Sequence, residues 1–189
     1  MKWLRTSLFT QAILALYFQA IQWLPLGDWN NQCPSGDAVA CGLGHQGLSV
    51  PGIKPLGVLA LEGHLSAQDA LYCACFTLPF WIFWLAYSRG WRWLMWLQVG
   101  SYSAWMALQI VSWWVPYVFG ATDSQVEHYQ KVFGQATQLL PSFGRHLPPD
   151  GMHLVLQILL AAVLVSALIG FLKTRGAQRF ERNDSFPTC

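Results

Sequence analysis

The sequence predicts an all-α membrane protein, a bundle of four transmembrane helices with both termini in the cytoplasm, two long extracytoplasmic loops and one amphipathic surface helix. Three observations predict it. Of the 189 residues, 54% are hydrophobic and 11% charged, where a soluble domain carries about 25% charged residues. Four apolar runs have the length of a bilayer crossing, about 20 residues as a helix. The basic residues divide unevenly between the segments that flank those runs. One integral membrane domain over residues 1–189 is expected, without internal repeats.

The first span is expected over about residues 6–26, closed by Pro25 and Gly27. A cleaved signal peptide is the competing reading, because Lys2 and Arg5 precede the run. The run is longer than a signal core, no small-x-small site follows it, and Trp23 and Pro25 occupy the place cleavage would need. The second span is expected over 70–87, where Ser66-Ala67-Gln68-Asp69 has capping-box spacing. The third covers 93–115 and ends at Pro116. The fourth covers 152–172, with Asp150 placed to cap its first turn. The short link from Ser88 to Arg92 makes the second and third spans antiparallel neighbours.

Eight of the eleven basic residues fall at the amino terminus, in the short middle link or in the carboxyl tail; Lys54, Lys131 and Arg145 fall in the long loops. The positive-inside rule therefore places both termini in the cytoplasm, and a bacterial inner membrane is the expected location. A net charge of +2, dispersed along the chain, gives no footprint for nucleic acid. The expected partners are the lipid bilayer and either a lipid-like small molecule or a partner membrane protein.

The first outer loop holds Cys33 and Cys41, eight positions apart, a spacing that suits a disulfide closing a small loop outside the cytoplasm. The second outer loop contains a surface helix, with Ser124 to Glu127 as its capping box and Val126, Tyr129, Phe133, Ala136 and Leu140 on one face. Leu140-Pro141 ends it.

Polar residues recur inside the spans. Gln98, Tyr102, Trp105, Gln109 and Ser112 fall within about 80° of one another on a helical wheel. Gln11, Gln19 and Gln22 share an arc of the first span, and His153 and Gln157 are one turn apart on the fourth. Amides are costly against lipid, so these stripes are expected to face inward. Gln19, Gln22, Gln109, Ser112, His153, Gln157 and Trp105 then form a polar layer in the outer half, with Cys73 and Cys75 at similar depth. Such a layer either ties the helices together or lines an outward-opening pocket. Ala162, Ser166 and Gly170 form a small-residue stripe for close packing in the inner half, and Pro79 is placed to widen the outer half. All five histidines fall on the outer side, without metal-site spacing, so no metal is expected.

Four spans, cytoplasmic termini and outer cysteines resemble, in architecture, the bacterial disulfide-generating membrane proteins and vitamin K epoxide reductases. Those families use a C-x-x-C pair beside a quinone; this chain has Cys73-Ala74-Cys75 and the distant Cys33 and Cys41. The leading functional expectation is a small non-enzymatic or accessory membrane protein that binds a lipid-like ligand or partner helices through the outer layer, with no cofactor. The alternatives are a thiol–quinone oxidoreductase, with quinone as cofactor, and an isomerase-like enzyme that acts on an apolar substrate with Asp150, His153 and the glutamines.

Overall fold

The computed structural model describes residues 2–24, 26–29 and 67–184. The described chain is helical and contains no strand. Its long helices are α1 (Lys2–Trp23), α2 (Ala67–Arg89), α3 (Arg92–Gln109) and α6 (Gly151–Asp184). A π-helical segment (Ile110–Trp114) joins α3 to the short α4 (Val115–Phe119), and α5 (Asp123–Phe133) follows. A 3₁₀ turn, Gly27–Trp29, lies beyond α1.

The helices pack in a ring. α1 lies against α6 and α2, and α3 lies against α6 and α2. The densest seam is α1 with α6, and the sparsest of the four is α2 with α3. Apolar residues fill much of the middle: Leu14, Phe80, Tyr102, Leu156, Leu160 and Val163 form one buried cluster. Tyr87, Met95, Ala167 and Phe171 form another, toward the end that carries the α2–α3 turn.

Small residues explain the dense seam. A Cβ on Gly170 would meet Tyr87 at 3.6 Å and Ser7 at 3.8 Å, ordinary contact distances that leave no room for a longer side chain. The Thr10 and Ser166 hydroxyls join α1 to α6 at 2.8 Å, and the Tyr87 hydroxyl donates to the Ala167 carbonyl at 2.8 Å. Ser166 and Gly170 are thus interface residues, as their spacing predicts. Ala162, two turns before Gly170, is exposed, because a repeat of four drifts around a helix of 3.6 residues per turn.

Several boundaries differ from the sequence expectation. The third run does not stop at Pro116. Proline lacks an N–H and crowds the carbonyl four residues earlier, and here the ladder widens into the π-helical turn and continues to Phe119. The surface helix begins two residues before the expected capping box. Thr122 is its N-cap, with Gln125 bonding back to the Thr122 N–H. It ends at Phe133, so Ala136 and Leu140 are not on it. The last helix continues past Leu172 to Asp184.

The segment between α5 and α6 is folded tightly onto the α6 amino end. Isolated bridges pair Gln138 with Asp150 and Phe143 with His146. The Gly151 N–H donates to the Thr137 carbonyl at 2.6 Å, and the Thr137 N–H to the Asp28 carbonyl at 2.9 Å. Glycine at 151 permits this close approach, since a Cβ there would lie 2.9 Å from the Trp29 ring and 3.1 Å from the Thr137 carbonyl oxygen.

Polar side chains share the apolar interior, and large apolar ones lie outside. Ser7, Gln11, Gln98, Gln157 and Ser166 are buried, while Phe9, Leu78, Trp93, Leu108, Ile158 and Val165 are exposed on the outside of the ring. Among the described residues, one helix is both long and apolar enough to cross a membrane on composition alone, Gly151–Lys173 of α6. Glutamine, tryptophan and tyrosine dilute the apolar character of α1 and α3.

Candidate functional site

A half-open cleft of about 520 Å³ penetrates the ring at its sparsest seam. Phe80 and Phe83 of α2, Tyr102 and Trp105 of α3 and Phe18 of α1 form its aromatic wall. These rings are one connected cluster, with centroids 5.1 Å apart for Phe18 and Phe80, 5.9 Å for Phe80 and Trp105, and 5.7 Å for Phe83 and Tyr102. Pro79 and Ser101 are the exposed lining residues, so the mouth lies between α2 and α3. Gln109 and His153 line the end nearer α5.

The polar groups at that end are ordered by a chain of bonds whose direction is determined. Trp114 Nε1 can only donate, and it donates to Gln157 Oε1 at 2.9 Å. The Gln157 Nε2 is therefore a donor, and it bonds Gln109 Oε1 at 3.1 Å. Gln109 keeps its own Nε2 as a further donor at the cleft wall. Gln157 is buried and Gln109 half-buried, so this pair joins α3 to α6 across the ring.

Beside it, Asp150 does two things. One carboxylate oxygen accepts from the His153 backbone N–H at 2.8 Å, which caps α6 as its position predicts. The same carboxylate holds His153 Nδ1, at 2.8 and 3.0 Å to its two oxygens. Asp150 is fully buried. A carboxylate on Nδ1 makes that nitrogen a proton-bearing donor and fixes the orientation of the ring. The imidazole is clamped between Trp113, with centroids 4.4 Å apart, and the edge of Phe133 at 5.7 Å.

A second, outer cavity of about 420 Å³ lies between the π-helical turn and α5, lined by Ser112, Trp113, Gln125, His128, Tyr129 and Phe133 among others. The Tyr129 hydroxyl donates to the Pro148 carbonyl at 2.8 Å. Burial, with the Asp150 charge adding to it, pushes that phenol up to about 12.

The predicted layer is therefore brought together in part. Gln109, Gln157, His153 and Trp105 converge at the cleft. Ser112 does not join them. The π-helical turn holds an extra residue per turn and takes Ser112 off the stripe, so it is exposed and faces the outer cavity. Gln19 is half-buried and is not a cleft-lining residue. The side chains of Gln22 and Cys73 lie outside the described residues, as do Cys33, Cys41, His45 and His64. Cys75 is an exposed free thiol, and His146 Nδ1 donates to the Tyr117 carbonyl at 2.8 Å. Among the described residues no three potential ligands cluster for a metal.

Deeper in the ring are polar groups that the sequence placed inside but gave no role. Gln98 is fully buried with neither amide atom partnered among the described residues, and Gln11 Oε1 and the Tyr102 hydroxyl are in the same condition. Gln98 and Tyr102 are one turn apart and close enough to interact, yet the amide does not reach hydrogen-bonding geometry. The sequence reading also missed Phe18, Phe80 and Phe83. The 79, 80, 83 spacing on α2 is a helical face, but in an apolar span such spacing is indistinguishable from ordinary packing.

No family model matches the chain, and no curated protein or solved structure matches it either, so the site is read from its own chemistry.

Proposed function

We propose that the four long helices cross a bilayer as one bundle, with the termini and the α2–α3 turn on the cytoplasmic side, and that the cleft between α2 and α3 holds one lipid-like molecule. The observation that carries this reading is the apolar outside of the ring. Large apolar side chains there would expose a patch far beyond the few hundred Å² that soluble monomers tolerate, while the amides of Gln11, Gln98 and Gln157 are turned into the apolar interior. The basic residues at the α2–α3 turn and at both chain ends support the orientation. In it the cleft opens sideways into the membrane, and its Gln109–His153 end lies in the outer half under α5.

An apolar occupant gains by leaving lipid only if the wall packs closely against it and its polar end finds partners, and the aromatic cluster and the Gln109–His153 end offer both. The protein is read as a binding or accessory protein. The Asp150–His153 pair favours one second reading, a membrane enzyme that moves a proton on an apolar substrate. The thiol–quinone reading would need Cys33 or Cys41, which lie outside the described residues, Cys73, whose side chain does, or Cys75, which is exposed and does not line the cleft.

The test is copurification. The full chain, extracted in mild detergent and analysed by mass spectrometry, should carry a lipid-like molecule at about one per chain, and a folded Ser101→Trp variant, which plugs the mouth, should lose it. Equal, unselective lipid content in both proteins would overturn the proposal.

A further inference from the structure

We propose that the end of the ring that carries the α2–α3 turn is a binding surface for the phosphate of an anionic phospholipid, held by Arg5, Arg89 and Lys173. This rests on the ring standing in a bilayer and names the lipid that one of its ends selects.

Four helices bring their cations to this end. A Cβ built on Gly170 lies 3.6 Å from the Tyr87 ring and 3.9 Å from the Trp3 carbonyl oxygen. The next residue, Phe171, meets the Trp96 ring with centroids 4.7 Å apart. The start of α1, the end of α2 and the start of α3 therefore surround α6 at one level. Arg5 is two residues beyond Trp3, Arg89 two beyond Tyr87 and Lys173 two beyond Phe171, and all three are exposed. Arg92, in the first turn of α3, lies over the Phe171 ring at 5.7 Å.

The chain supplies few carboxylates to match them. No Asp or Glu occurs in residues 1–27, 70–122 or 151–180. Glu181 and Asp184 follow on α6, but they stand about 12 and 16 Å past Lys173 along the axis, on a stretch that also carries Arg175, Arg179 and Arg182. The cations toward α5 are treated differently. Lys131 is paired with Glu127 at 2.8 Å, and Arg145 with Asp123 at 2.6 Å. Like charges gathered on one surface repel, and an anion that settles among them lowers that cost.

The surrounding rings identify the anion. Trp3, Trp91, Trp93 and Trp96 are all exposed at this end, and the Lys173 ammonium lies over the Trp3 ring at 5.0 Å. Indole rings take the headgroup level of a bilayer, which is the level of the lipid phosphates. A soluble polyanion would have to displace that layer to reach the same cations. A zwitterionic headgroup brings its own ammonium and leaves the net charge of the surface unchanged. An anionic headgroup, such as that of phosphatidylglycerol, brings a phosphate charge with no cation of its own.

The test reconstitutes the full chain in phosphatidylcholine vesicles with a trace of spin-labelled phosphatidylglycerol or spin-labelled phosphatidylcholine. The motionally restricted fraction of each label reports its affinity for the protein surface. Contact with one cation favours an anionic lipid about fivefold. Averaged over lipids elsewhere on the ring, a preference of about twofold or more for phosphatidylglycerol is expected, falling toward parity in molar salt. Arg5→Gln, Arg89→Gln and Lys173→Gln together should abolish it. Lys131→Gln with Arg145→Gln, at the other end, should keep it.

A preference that survives the triple variant or molar salt overturns the proposal. So does its loss to millimolar inorganic phosphate at constant ionic strength, which would assign the surface to a free anion. Restricted fractions of equal size for the two labels leave the bundle standing and sink the lipid assignment alone. No restricted fraction for either label sinks both.

Discussion

The α1–α6 seam and the α2–α3 seam belong to the same ring and are built on opposite rules. Along the first, side chains shrink to glycine and serine, helices approach closely, and hydroxyls find partners across the gap. Along the second, side chains are large aromatics that hold the helices apart at the cleft, and the Tyr102 hydroxyl has no hydrogen-bond partner among the described residues. With the ring in lipid, as proposed, no hydrophobic effect drives the helices together, and packing and polar contacts decide which seams close. The closed seam is where the fold is held. The open one is where something else can enter.

Two substitutions sharpen that contrast. The larger effect belongs to the closed seam: Gly170→Leu pushes a branched side chain into Tyr87 and Ser7. It should destabilise the protein by about 1–3 kcal/mol in a denaturant titration in detergent. A neutral outcome would mean that α1 and α6 are not in contact there. Gln98→Leu should have a smaller effect of opposite sign. It removes two buried amide atoms that have no partners among the described residues, so stability should hold or rise by about 1 kcal/mol. A large loss would reveal that Gln98 is satisfied by a group such as bound water, and that the deep end of the ring is wet.

Much of this contrast is legible in the sequence. Helical periodicity places Gln98, Tyr102, Trp105 and Gln109 on one face, and the structure turns that face inward. Asp150 reads as a cap and is one. The Ser166 and Gly170 spacing predicts the closed seam. What periodicity cannot give is which seam stays open, because that depends on how four helices are arranged in space. Pro116 reads as a terminator, but a proline also tolerates a widened turn, and the resulting π-helical segment removes Ser112 from the stripe. Trp114 reads as an interfacial anchor from its place at a span end. Its role as the donor that orients Gln157 and Gln109 depends on that same widened turn and leaves no trace in local spacing.

The central claim is that the outside of the ring faces lipid, and spin-label accessibility tests it most directly. Single cysteines at Leu78, Leu108, Ile158 and Val165, all exposed on the outside, would be labelled in a background with the native cysteines replaced and reconstituted into bilayers. Power saturation should show high accessibility to oxygen and low accessibility to a water-soluble nickel chelate at all four, whereas a label at His128 on α5, exposed beside the outer cavity, should show the reverse. Nickel accessibility at two or more of the four ring positions would contradict the account.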